Sequence, residues 1–164
     1  MLLIERLNVS RHDRGSFDCG VTSLNTYLQQ YARQFSEKNV GVTWVAVHDN
    51  ELDKIIGYYT LSVGSLIPNE LPTAKIALPQ LPIILLGRLA VDKDRRGKNI
   101  GRRLLLHAMQ HTYNFSTHIG IYAMVVDALD DNARNFYLKF GFLPLPSNPF
   151  RLYLSLRAIA QLER

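Results

Sequence analysis

The stretch that most restricts what this chain can fold into runs from Ile83 to about residue 112: "IILLGRLAV", then "DKDRRGKNIG", then a segment with helical spacing. The first run sets large apolar side chains side by side, so both faces need cover, which is the mark of a central strand. Beyond the basic turn, Ile100, Leu104, Ala108 and His111 fall on one stripe, widened by Leu105 and Met109, which predicts a helix over 100–112. A buried strand leading through a glycine-bearing basic turn into a helix belongs in a layered α/β chain. Such a corner also attracts anions. The first amides of a helix have no partner within it, and the helix dipole adds partial positive charge there. A phosphate-bearing ligand is the expectation, but of another class than nucleoside triphosphates or dinucleotides, because neither G-x-x-x-x-G-K-[ST] nor G-x-G-x-x-G is present.

The flanking sequence completes an α/β reading. Residues 2–9 predict a first strand. Leu24, Leu28, Tyr31 and Phe35 predict a helix from Val21 to Phe35, with Thr22 or Ser23 as its cap. "VTWVAVHDNELDKIIGYYTLSVGSL" has the pattern of an antiparallel hairpin. Pro68, Pro72, Pro79 and Pro82 make residues 67–82 a loop with room for one short helical turn. "IGIYAMVVDAL" is another buried strand, and "DDNARNFYLKFGF" a helix capped by Asp130 or Asp131, with Lys139 in its last turn and Gly141 at its stop. The tail "NPFRLYLSLRAIA" alternates as a last strand. One mixed α/β domain over residues 1–164 is expected.

Composition narrows the chemistry. With 164 residues, 47% apolar and 20% charged, the chain can close a core without disulfides. Cys19 is the single cysteine, so no internal disulfide forms, and no Cys/His cluster has zinc spacing; no metal is expected. The opening "MLLIERLNVS" is too short in apolar residues for a signal core or a membrane span, which predicts a cytoplasmic protein without membrane contact. The excess of 19 Lys and Arg over 14 Asp and Glu, a net +5, favours a polyanionic partner or a phosphate-bearing cofactor.

"RGKNIG", Arg96 to Gly101, resembles the R/Q-x-x-G-x-G/A pyrophosphate loop of the GNAT N-acetyltransferases. Asn99 stands where that family prefers its first glycine. Asn is the non-glycine residue that best tolerates a left-handed backbone, so the turn is expected to survive. "LGRLAVD" resembles the splayed strand ahead of that loop, and "NARNFYLKFGF" the late helix with its tyrosine and Gly-Phe. The resemblance implies a GNAT fold, a mixed central β-sheet with helices on both faces and splayed central strands forming the acetyl-CoA cleft. It also implies acetyl-CoA as cosubstrate, bound by Leu89, Ala90, Val91, Arg95, Arg96, Gly97, Lys98, Asn99, Ile100, Gly101, Arg102, Asn132 and Tyr137. Together with "FDCGVTSLNTYLQQYARQ", these segments look like the toxin branch of the family, the TacT-like proteins paired with ribbon-helix-helix antitoxins. That branch implies acetyl transfer to the α-amine of aminoacyl-tRNA, which blocks translation, and a homodimer neutralised by the antitoxin.

Amide formation needs an uncharged amine, an oxyanion stabiliser and a proton for the departing thiolate. Tyr137 shares a stripe with Ala133, Phe136 and Phe140, as a core aromatic would. The resemblance implies that its hydroxyl lies near the thioester sulfur, where a phenol of pKa ~10 stays protonated at neutral pH and acts as general acid. The amides of Leu89, Ala90 and Val91 are then the oxyanion donors. No carboxylate in "IILLGRLAV" offers a base. An α-amine titrates near ~8 and esterification lowers it further, so water suffices as proton acceptor. Asp127 is either an assistant or a structural cap.

In "FDCG", Phe17 is expected to be buried, Asp18 and Gly20 to shape the turn, and Cys19 to be a small buried residue, not a nucleophile. His107 and His111 are expected on the helix surface. Arg11, Arg14, Arg33, Arg95, Arg102, Arg103, Arg134 and Lys139 are the candidates for RNA phosphates. Two other readings remain at this point: acetylation of a small amine or a protein N-terminus, and a noncatalytic coenzyme-A- or partner-binding module.

Overall fold

The computed structural model describes residues 1–71 and 76–162; the middle of the expected proline loop, 72–75, and the last residues, 163–164, lie outside the described residues. The chain divides into two compact units, Met1–Ser62 with Gly87–Ala108, and Val63–Leu86 with Met109–Arg164.

In the first unit, strands β1 (Leu2–Arg6) and β2 (Val42–His48) pair antiparallel from Leu2↔His48 to Arg6↔Trp44. Strand β3 (Gly57–Leu66) pairs antiparallel with β2 from Val42↔Leu61 to Ala46↔Gly57, which is the hairpin expected from the two β-rich runs. Their inner faces bury Val45, Val47 and Tyr58 against Phe17, Tyr27 and Leu28. The Tyr58 hydroxyl donates to the Leu24 carbonyl at 2.6 Å, so a polar atom inside this core is satisfied.

The first helix departs from the expected regular helix. It comprises α1 (Thr22–Thr26), a π turn over Tyr27–Tyr31 and α2 (Ala32–Glu37). Neither Thr22 nor Ser23 caps it; Val21 is the N-cap, without a side-chain hydrogen bond. Its entry is held instead by Asn25, which accepts from the Cys19 amide and donates to Asp18, each at 2.9 Å.

Helix α3 (Ile100–Ser116) overruns the expected end at 112 by about one turn; Thr112 itself is buried. Within the first unit its Leu104 and Ile100 reach Gly57. A Cβ built on Gly57 would stand 2.8 Å from Leu104 Cδ1 and 3.0 Å from the Ala90 carbonyl oxygen. The Leu104 methyl can turn aside, but the Ala90 carbonyl is backbone and cannot. Gly57→Ala is therefore expected to lose about 1–3 kcal/mol of stability by overpacking, read as a lower urea midpoint at an unchanged m-value.

In the second unit, the first half of β4 (Leu81–Val91) pairs parallel with β5 (Ala123–Asp127), from Ile83↔Ala123 to Leu86↔Val126. Strand β7 (Asn148–Ser155) lies antiparallel to β5, and the short β6 (Leu143–Leu145) antiparallel to β7. Leu66, Leu71, Leu81, Ile83, Ala123, Val125 and Leu145 form this unit's core. Helix α4 (Asp131–Lys139) is capped by Asp130, whose carboxylate accepts from the Ala133 amide at 2.8 Å, and it stops at Gly141 with φ 92. The tail differs from the expected strand: it turns at Ser155 into α5 (Leu156–Leu162), and Ser155 Oγ accepts from the Ala158 amide at 3.2 Å. Along the sheet the strand order is β1-β2-β3-β4-β5-β7-β6. β4 thus takes the central place that its two apolar faces demand.

Candidate active site

The recorded parallel ladder of β4 ends at Leu86, while the strand runs on to Val91. Leu89, Ala90 and Val91, the expected oxyanion donors, therefore lie beyond that ladder. Past Val91 the backbone is held tightly. The Asp92 amide donates to the Ile56 carbonyl at 2.9 Å, and the buried Asp92 carboxylate accepts from the amides of Asp94 at 3.0 Å and Asp18 at 3.4 Å. Lys93 then reaches back: its amide donates to the Asp18 carbonyl at 2.9 Å, and its ammonium pairs with the Asp18 carboxylate at 3.0 Å. The Gly20 amide first, then Lys93 and Asn25, hold the Asp18 carboxyl down to about 2. Arg96 adds another tie, donating from Nη2 to the Cys19 carbonyl at 2.5 Å. The "FDCG" turn is thus a brace for the basic corner. Cys19 is buried and burial pushes its thiol up, the opposite of what a nucleophile needs.

The corner itself has the expected geometry. Gly97 has φ 78 and Asn99 φ 60, so Asn99 adopts the left-handed conformation of the glycine it replaces. Space is open where a Gly97 Cβ would stand. The Arg103 amide donates to the Asn99 carbonyl at 3.1 Å, so the amides of Ile100, Gly101 and Arg102 precede that helical bond. Ile100 is buried and anchors the turn at its helical end. Among the described residues Arg95, Lys98 and Arg102 have no carboxylate partner. Converging amides, a helix start and unpaired cations are a donor set suited to a diphosphate. The Arg96 side chain differs from these, since its Nη2 is turned to the Cys19 carbonyl.

In the second unit, Asn132 is exposed in the first turn of α4 and Tyr137 is buried on its far side. The Tyr137 ring meets Phe136 and Phe142 edge-on, with centroids at 5.3 and 5.5 Å. Burial, followed by the charge of Asp127, pushes its phenol well above the usual value, so it remains protonated throughout the physiological range. Asp127 closes β5 and stands 3.8 Å from Arg151 Nε.

Two expectations are corrected here. His107 is not a surface residue: its Nδ1 lies 2.7 Å from the Tyr59 hydroxyl, and its ring packs on Trp44 with centroids 5.5 Å apart. His111 is half-buried too, and burial lowers its pKa. The basic residues also sort themselves. Arg11 pairs with Glu5, Arg33 with Glu37 at 2.8 Å, and Arg134 donates to the Pro149 carbonyl at 2.8 Å. Arg14 and Arg103 make long contacts, each 3.5 Å, with the carbonyls of Gln29 and Leu2. Lys139, like Arg95 and Arg102, has no carboxylate partner among the described residues.

A family model described as acetyltransferase (GNAT) domain matches residues 39–144, which include both the basic corner and Tyr137. The chain belongs to the GNAT acetyltransferase family. It is similar to the tRNA-acetylating toxin of Mycobacterium tuberculosis (strain ATCC 25618 / H37Rv), 33% identical over 147 residues that cover 88% of this chain and 87% of that protein. Among solved structures it resembles AtaT complexed with acetyl-methionyl-tRNAfMet, with a TM-score of 0.92, 29% identity and complete coverage of both chains (100% each). It also resembles a tyrosine-to-phenylalanine mutant of AtaT bound to the C-terminus of the antitoxin AtaR and acetyl-CoA, with a TM-score of 0.85, 29% identity and coverage of 99% and 98%. The mixed seven-stranded sheet is the GNAT fold expected from the sequence.

Sequence reasoning missed three residues that shape this GNAT site. Asp92 organises the corner, and its signal was the Asp at the end of a strand with an amide two residues on, an Asx turn. Lys93, at the start of the basic turn, was given no role of its own. Arg88, inside the apolar run, was given no role; its setting is described below. Among the described residues no group of His, Cys, Asp or Glu comes together in a way that could hold a metal ion, and no helix is long and apolar enough to cross a membrane.

Proposed function

We propose that this GNAT enzyme transfers acetyl from acetyl-CoA to the α-amine of aminoacyl-tRNA and so blocks translation. It does so as one domain over residues 1–164, in the cytoplasm, under control of a ribbon-helix-helix antitoxin. The observation that carries the reading is the full-length likeness to AtaT complexed with acetyl-methionyl-tRNAfMet. The likeness to a toxin bound to its antitoxin's C-terminus and to acetyl-CoA supports the partner and the cosubstrate.

Acetyl-CoA brings the acetyl group already activated as a thioester. The protein's part is to hold, orient and manage protons. The amides of Ile100, Gly101 and Arg102, with Lys98 and Arg102 as cations, hold the diphosphate; Asn99 at φ 60 aims those amides. The amides of Leu89, Ala90 and Val91 are preorganised dipoles for the carbonyl oxygen as negative charge develops on it. The Tyr137 hydroxyl, kept protonated by burial, holds the proton that the leaving sulfur requires. No base is needed in the chain, because an esterified α-amine is largely neutral at physiological pH. Incubation with acetyl-CoA and a pool of charged tRNAs, read by mass spectrometry, is expected to give acetyl-aminoacyl-tRNA. Efficient acetylation of a polyamine or peptide N-terminus with no acetyl-aminoacyl product would overturn the reading.

A further inference from the structure

Beside the π turn lies an open hollow lined by Ser23, Thr26, Tyr27, Tyr31, Phe35 and Arg88. None of these is acidic. Arg88 projects from β4 with its guanidinium carbon 3.7 Å from the centroid of the Tyr27 ring and 6.0 Å from that of Phe35. Among the described residues it pairs with no carboxylate, so its planar fork of donors is left open to an anion. The Tyr27 hydroxyl is buried and has no hydrogen-bond partner, so the residue whose ring carries Arg88 also holds an unmet polar atom. Tyr31, by contrast, is 45% exposed and meets Phe35 edge-on at 6.5 Å.

The backbone explains why both tyrosines reach this place. The Ala32 amide donates to the Tyr27 carbonyl, five residues back, which widens the helix by one residue in a turn that is rare and recurs at functional sites. A cation laid on aromatic faces with no counter-charge, next to an exposed ring, suits one kind of ligand. That is a phosphodiester with a base beside it: the guanidinium takes phosphate oxygens through paired donors, and the ring stacks on the base.

We propose that this hollow seats the terminal nucleotides of the acylated RNA strand, with a phosphodiester on Arg88 and a base against Tyr31. The proposal rests on the aminoacyl-tRNA reading and gives it a recognition site. The amino-acid side chain is the competing occupant, but it would leave the Arg88 charge unanswered.

The test uses the unacylated RNA tetranucleotide ACCA as probe, with binding followed by fluorescence anisotropy on the full chain. Wild type is expected to bind with an affinity that falls as salt rises. Tyr31→Ala and Arg88→Ala are expected to weaken binding about 5- to 20-fold, in line with the loss of one stacked base or one charged fork. Arg88→Lys keeps the charge, loses the fork and should fall between. Tyr31 is exposed, so its variant does not threaten the fold, and acetyl-CoA binding checks both. Unchanged ACCA binding in the variants, or none by wild type, overturns the proposal. So does an equal loss when methionine ethyl ester replaces charged tRNA as acceptor, since that would put the side chain in the hollow. ACCA binding that depends on Tyr31 and Arg88, without acetyl transfer to charged tRNA, would sink the aminoacyl-tRNA reading and leave the nucleotide seat standing.

Discussion

Tyr137→Phe is expected to lower kcat for acetyl transfer by about 10²-fold or more, the range that a positioned general acid contributes, while the Kd for acetyl-CoA stays within about threefold. The change removes one oxygen and nothing else. The ring packs on Phe136 and Phe142, and a phenylalanine keeps those edge contacts, so the thermal midpoint is expected to hold. Loss of kcat with retained cosubstrate binding separates proton donation from packing, and stopped-flow or radiometric turnover together with calorimetry reads both. In cells, arrest of growth on expression should vanish in the variant. Arrest that persists unchanged would mean that the chain acts by binding alone.

The same hydroxyl sets the sign of the pH dependence. Its pKa is raised above the ordinary phenol value, mainly by burial. A raised phenol is protonated at every pH below its folded value, so Tyr137 removes no activity on the acidic side or near neutrality. The rate should climb with pH as the acceptor amine loses its proton and then flatten, with no descending limb from Tyr137 until above pH ~10. Phe at 137 should lower this profile without moving its ascending limb, because that limb belongs to the substrate.

The elements around the site were legible wherever side-chain period and punctuation agreed. "IILLGRLAV" demands cover on both faces and lies between β3 and β5. Asp130 and Gly141 bound α4 as cap and stop signals predict. Where two periods overlap, the sequence misleads. Leu152, Leu154 and Leu156 alternate as in a strand, yet the signal that ends it was present in Ser155, which caps α5. His107, expected on the helix surface, stands three residues past Leu104 and takes a half-buried place against Tyr59 and Trp44, partners from distant strands that helical spacing does not announce. What no local pattern could supply is long-range. The Asp18–Lys93 pair joins residues far apart in the chain, and so does the stacking of Arg88 on Tyr27. The π turn is equally silent in a sequence whose leucines and tyrosines keep ordinary helical spacing.

Asn99→Val is expected to weaken acetyl-CoA binding about tenfold, by calorimetry, and to lower the thermal midpoint, whereas Asn99→Gly should bind as well as wild type or better. At φ 60 a residue must tolerate the left-handed region. Asn does so by local hydrogen bonding and Gly without steric penalty, but a β-branched side chain there adds roughly 1–2 kcal/mol or more. The turn has little freedom to escape that strain. On one side Arg96 is tied to Cys19 and Lys93 to Asp18; on the other, Ile100 is buried and the Asn99 carbonyl accepts from Arg103. If the backbone stays, the protein loses stability; if it rotates out, the amides of Ile100, Gly101 and Arg102 no longer converge. About 1.4 kcal/mol of misalignment is a factor of ten in Kd, which sets the expected size. The Gly variant tests the direction independently, since it removes the side chain while keeping the conformation. A valine variant that binds acetyl-CoA as tightly as wild type would show that the diphosphate is held somewhere other than at the opening of α3.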